Sequence, residues 1–198
     1  MATKTNKIIA VVLVVALIVA LGVFIFVNLP KQTTPNGGTT NPPETSIITV
    51  YYNGTHWNYT LAELEALPVM TGSGSYIKVK ALPTVNINGP FNFTGVDIKV
   101  LLDQIPNLPE NYSLIATGSD NYSITYTHDQ IQGDVTVYDE SGNITGTRGV
   151  TMLLAYKQDG QYITDPAAGP LRIVFVDQGT ITPSTLWAKL VVSLEIVR

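Results

Sequence analysis

Residues Leu153–Val176 read LLAYKQDGQYITDPAAGPLRIVFV, and this stretch decides the fold. Val150 to Tyr156 is an apolar, aromatic-rich run of strand length, and Gln158-Asp159-Gly160 supplies a turn after it. Leu171 to Val176 is almost continuously apolar apart from Arg172, the pattern of a strand covered on both faces. A strand of that kind needs a layer on either side of it.

Working outward, Leu190, Val192, Leu194 and Ile196 alternate with Lys189, Ser193 and Glu195, which predicts a half-buried strand over Leu190–Val197. Upstream, strands are expected over Ser113–Thr117, Tyr122–Thr127 and Val135–Tyr138, with turn signals at Gly118-Ser119-Asp120-Asn121 and Ser141-Gly142-Asn143. Thr94–Ile105 places Val96, Val100, Leu101 and Ile105 on one helical side, and Pro106 stops it. Tyr76–Ala81 alternates Ile77, Val79 and Ala81 with Lys78 and Lys80, while Gly72-Ser73-Gly74-Ser75 reads as a flexible loop.

Thr60-Leu61-Ala62-Glu63 is a capping-box pattern, and Pro68 ends the short helix that it opens. Before it, Ile47–Tyr52 and Trp57–Thr60 flank Asn53-Gly54, a hairpin signal. Residues 47–198 are therefore expected to form one α+β domain with a mixed β-sheet core and few helices, long enough to bury that core.

The N-terminal region has a different chemistry. Ile8–Val27 (IIAVVLVVALIVALGVFIFV) carries no charge over 20 residues, enough helix to cross the roughly 30 Å hydrocarbon core once. Lys4, Lys7 and the amino terminus precede it, so residues 1–7 are expected in the cytoplasm and the rest outside, in a single-pass cell-membrane protein. A cleaved secretory leader is the rival reading, but its apolar core would be shorter and followed by a small-x-small site. Residues 28–46 mix Pro, Gly, Thr and Asn without apolar period and read as a linker.

Six Asn-x-Ser/Thr sites follow, at Asn53, Asn58, Asn92, Asn111, Asn121 and Asn143. Composition alone would give roughly two, so the excess points to an N-glycosylated surface protein. The alternative is that Asn and Thr are simply abundant in β-turns. A formal charge of −4 with no basic run beyond the first residues excludes an electrostatic footprint for nucleic acid. The chain has no cysteine, which removes disulfides, thiolate metal sites and cysteine nucleophiles together. His56 and His128 are the only histidines and occupy no metal-binding spacing; no Gly-rich phosphate loop or nucleophile elbow is present.

Four segments in order resemble the molybdopterin-binding domain of sulfite-oxidase-type oxidoreductases. They are FTGVDIKVLLDQI (Phe93–Ile105), GSDNYSITYT (Gly118–Thr127), the Leu153–Val176 stretch with its Leu-Ala-Tyr, Asp-Gly and Gly-Pro-Leu-Arg elements, and the terminal strand after Trp187. Together they cover most of Thr60–Arg198. The resemblance implies a compact α+β fold and, in the family's enzymes, a molybdenum or tungsten pterin ligated by one cysteine. The corresponding region here, about Ile77 to Asn88, offers Lys80-Ala81-Leu82-Pro83 and no cysteine.

The family's pterin phosphate is met by basic groups just before the terminal tryptophan, yet no Lys or Arg lies between Arg172 and Lys189. Arg172 matches the family's Gly-Pro-Leu-Arg arginine, and either a ligand contact or a carboxylate pair would account for it. Lys80, Ser119 and Arg172 are the cofactor-binding candidates that follow, with molybdopterin the cofactor that the resemblance implies and no catalytic or metal residue expected. The leading expectation is a non-catalytic binding or cell-envelope module, with an envelope or membrane protein as its partner. One rival is a redox protein that holds a pterin without cysteine, which predicts a deep polar pocket near Lys80, Ser119 and Gly169. Another is a glycosylated structural component that assembles through β edges.

Overall fold

The computed structural model describes residues 45–81 and 84–198, and the side chains of 79–84 are outside that description. The expected cytoplasmic segment 1–7, membrane span 8–27 and all but the last two residues of the linker 28–46 lie outside the described residues. Among those described, no helix is long and apolar enough to cross a membrane.

The chain opens with β1 (Ile48–Tyr52), β2 (Thr55–Tyr59), the helix α1 (Leu61–Ala66), β3 (Val69–Ala81), β4 (Thr84–Asp97) and the helix α2 (Ile98–Leu102). There follow β5 (Ser113–Gly118), β6 (Ser123–Tyr126), the helix α3 (His128–Gln132), β7 (Asp134–Tyr138) and β8 (Ile144–Gly149). The last third holds β9 (Thr151–Gln158), β10 (Gln161–Tyr162), β11 (Arg172–Val176), β12 (Gln178–Pro183) and β13 (Val191–Val197).

Two mixed sheets result. The smaller runs β2-β1-β13-β5-β6, with β1 parallel to β13 and the other pairs antiparallel. The larger runs β10-β9-β4-β3-β12-β7-β8, with β3 parallel to β12 and β11 paired to the same strand, β9, as β10. The expected mixed β core is present, and β structure dominates it, since each described α-helix has only five or six residues. All five residues of β11 are buried, as the apolar run predicted. The capping box at Thr60 forms as expected, its hydroxyl accepting from the Glu63 N–H at 3.2 Å and the Glu63 carboxylate accepting from the Thr60 N–H at 2.9 Å.

Three expectations are corrected. Thr94–Ile105 is not one helix: β4 continues through Asp97, whose carboxylate caps a helix only five residues long. The helical periodicity competed with pairing to β9, and Gly95 permits that pairing because a Cβ there would stand 2.7 Å from the Ala155 Cα.

Gly72–Ser75 is not a loop but the middle of β3. Small residues are required there because β11 runs close by: a Cβ on Gly72 would stand 2.8 Å from Val176 Cγ2, and Ser73 and Asp177 exchange backbone hydrogen bonds at 3.2 and 2.9 Å. In β13 the apolar alternation slips, so Val191 is buried and Val192 exposed, because the register with β5 shifts between Val191 and Ser193. The strands β8, β10 and β12 and the first half of β4 gave no readable pattern; β8, for example, is exposed at every residue and has no apolar face to alternate.

The β7–β8 turn carries a pH-dependent device. Asp139 accepts from the Asn143 side-chain amide at 3.0 Å and from the Asn143 and Ser141 N–H groups at 2.8 and 2.9 Å, which holds its pKa below the usual Asp range. A depressed folded value means that the turn's stabilisation is whole above the ordinary Asp range and disappears as pH falls through the depressed value. Between about pH 5 and about pH 2 the unfolding temperature should therefore fall more steeply for the native chain than for Asp139→Asn. Parallel curves from scanning calorimetry would contradict this.

Candidate functional site

One cleft gathers residues from four distant parts of the chain. Tyr76 and Lys78 stand two apart on β3, Asp120 and Tyr122 come from the β5–β6 turn, Arg172 opens β11, and Ser184, Trp187 and Lys189 follow β12. Its volume is about 210 Å³.

Backbone pairing explains why these residues meet. Ile173 and Ala188 exchange hydrogen bonds at 3.0 and 3.1 Å, which lays the segment bearing Trp187 and Lys189 along β11 beside Arg172. The Ser119 N–H donates to the Leu190 carbonyl at 2.9 Å, which brings in the turn with Asp120 and Tyr122. Trp187 is fixed by its indole N–H, which donates to the buried Thr182 Oγ1 at 2.8 Å, and by packing on Tyr76 and Phe93 with ring centroids 5.0 and 5.6 Å away. The Tyr126 hydroxyl donates to the Leu186 carbonyl at 2.9 Å and steadies the turn before it; burial pushes that phenol up, so it stays protonated and donating.

Arg172 is the unusual member. It is only 5% exposed, its Nη1 donates to Gln158 Oε1 at 2.8 Å, and its guanidinium lies 5.4 Å from the Phe93 ring centroid. Its Nε is buried with no hydrogen-bond partner. Among the described residues the ion pairs are Arg148–Asp177 and Lys157–Glu65, so the carboxylate partner considered for Arg172 is replaced by a neutral amide. Burial pulls the guanidinium below its ordinary pKa, with Tyr76 and Asp165 acting in the other direction. An arginine held this way bears the cost of a nearly buried charge, and among the described residues no carboxylate lies within salt-bridge distance of it.

Of the three candidates read from sequence, Arg172 lines the cleft. Ser119 is exposed and adjoins it through Asp120 without lining it, and Lys80 sits on β3 with its side chain outside the described residues. No basic residue lies just before Trp187, as the sequence shows. Positive charge reaches the cleft from Lys78 and Lys189 together with Arg172, positions too far apart in the chain for a local motif to reveal. Lys80, Ser119 and Gly169, around which the rival reading expects a deep polar pocket, do not themselves line this cleft; Lys78 and Asp120, close to the first two in sequence, do.

The other polar candidates stay apart from the cleft. His56 packs beside Tyr51 at 6.0 Å, and His128 is the first residue of α3 after the capping Thr127. Among the described residues no group of three or more His, Cys, Asp or Glu is placed to hold a metal. Asn53, Asn92, Asn111, Asn121 and Asn143 are exposed, whereas Asn58 is half-buried on β2 and accepts from the Thr49 hydroxyl at 2.8 Å.

A molybdenum or tungsten pterin does not fit these residues. No thiolate exists in the chain to ligate the metal.

No family model matches the chain, and no curated protein matches it. Among solved structures, the sulfane dehydrogenase SoxCD from Paracoccus pantotrophus aligns with a TM-score of 0.54 at 16% identity. The match covers 81% of this chain and 40% of that one. What the two share at that identity is a β-rich fold with few helices.

Proposed function

We propose that the chain is a membrane-anchored, extracytoplasmic and non-catalytic binding module, built on a sulfite-oxidase-type fold, and that the cationic cleft is its site for a small anion. One observation carries the ligand reading: a nearly buried arginine without a carboxylate partner shares a cleft with two lysines and a single acid. An anion there would supply the charge that the protein itself withholds from Arg172. The lack of a thiolate supports a binding role over the chemistry of the resembled enzymes. The apolar run 8–27 and the linker 28–46 support delivery of residues 47–198 to the outer surface, where the five exposed sequons, all but Asn58, would be open to glycan transfer.

The test uses the full-length chain in detergent. Small dianions at about 100 times their Kd should stabilise it by about 2.7 kcal/mol over sodium chloride of equal ionic strength, raising the unfolding temperature. Purification from a molybdenum-sufficient host with stoichiometric metal and pterin, or sulfite turnover, would sink the proposal.

A second reading has its own observation. β8 forms an edge of the larger sheet, pairs with β7 and is exposed along its whole length, as assembly through β edges would require. Sedimentation over a range of concentrations distinguishes the two, since an assembling component grows with concentration whereas a binding module does not.

A further inference from the structure

The charges in the cleft specify more than a sign. Lys78, Arg172 and Lys189 line the cleft with one carboxylate, Asp120, so the lining carries an excess of two positive charges, which suits a dianion; Asp165 acts on Arg172 from outside that lining. Asp120 then constrains what else that dianion carries. Its Oδ1 accepts from the Tyr122 N–H at 3.1 Å, which fixes the side chain in the β5–β6 turn at the cleft wall.

A dianion built of acceptors alone, such as sulfate or an unsubstituted dicarboxylate, sets negative charge against Asp120 with no proton to bridge them. A hydroxyl on the ligand supplies that proton, and the Ser184 hydroxyl offers a second polar partner on the same wall. The cleft, about 210 Å³, corresponds to roughly seven water volumes at about 30 Å³ each, room for a skeleton of a few carbons. Tyr76 and Trp187 give that skeleton an apolar surface, and Tyr122, 62% exposed, adds another aromatic side chain to the lining.

We infer that the ligand class is a small hydroxylated dicarboxylate, its carboxylates toward Lys78, Arg172 and Lys189 and its hydroxyl donating to Asp120. This rests on the reading of the cleft as an anion site, and it adds the hydroxyl and the role of Asp120.

Calorimetric titration of the full-length chain in detergent with malate, succinate and sulfate, at one ionic strength, tests both levels. Malate should bind about tenfold or more tighter than succinate, the size of one hydrogen bond to a charged acceptor. Asp120→Asn, at an exposed turn, should shrink that preference to about twofold by strengthening succinate and weakening malate. Lys189→Gln, also at an exposed position, should weaken both acids. Equal binding of malate and succinate, with both still dependent on Lys189, overturns the hydroxyl assignment and leaves the anion site standing. Failure of all three anions to bind overturns the site as well.

Discussion

Gly95→Ala should destabilise the domain by about 3 kcal/mol or more, although it adds a single methyl group. Gly95 is buried on β4, and the added Cβ would stand 2.7 Å from both the Ala155 Cα and the Leu154 carbonyl carbon. Those are main-chain atoms of β9, whose residues Met152 to Ala155 are fully buried, so no flexible side chain can turn aside to admit the methyl. Either β4 separates from β9 over the Gly95–Asp97 pairing, or β9 shifts and disturbs its register with β11. Gly149→Ala is the control: Gly149 ends β8, nothing lies within 4 Å of its added Cβ, and the effect should stay within about 0.5 kcal/mol. Urea unfolding of the two variants measures the contrast, and a Gly95→Ala variant as stable as the native chain would show that β4 and β9 are not packed this closely.

The same residue shows where sequence reading reaches and where it stops. Apolar periodicity located β5, β6, β7, β9 and β11 because each strand's own side chains report burial. It misread Thr94–Asp97, since Val96, Leu101 and Ile105 are all buried and satisfy a helical spacing although the first of them lies on a strand. What decided the matter was the space above Gly95, a property of the neighbouring strand. Gly72 and Gly74 taught the same lesson: in isolation they read as flexibility, and against Phe175 and Val176 they are a requirement of close packing.

The cleft was legible in part for the same reason. Arg172 stood out because it interrupts an apolar run, a local signal. Lys78 had been assigned to the solvated side of an alternating strand, and it does face solvent, but on the rim of the cleft. Lys189 was read in the same way. The Ile173–Ala188 bridge sets Lys189 beside Arg172 and the parallel β3–β12 pairing brings the strand of Lys78 alongside the segment before Trp187, and neither contact has a signature within a single segment. The cleft's positive charge is supplied across the fold and not along the segment beside the terminal tryptophan.

Arg172→Met should raise stability by about 1–3 kcal/mol and at the same time abolish stabilisation by anions. A buried ion that keeps one neutral hydrogen-bond partner and an Nε without a partner bears a desolvation cost larger than the opposing action of Tyr76 and Asp165. Methionine is flexible and apolar enough to occupy the space beside Phe93 that the guanidinium now fills. The opposing loss is the hydrogen bond to Gln158, about 1 kcal/mol, from an acceptor that is only part-buried and can turn to water. Urea unfolding with and without dianions reads both effects on one protein. If Arg172→Met instead costs more than about 1 kcal/mol, the guanidinium is a structural strut in β11 and the cleft loses its claim to a ligand. If stability rises while the anion effect vanishes, Arg172 is a charge maintained at the expense of the fold, which is the mark of a binding residue.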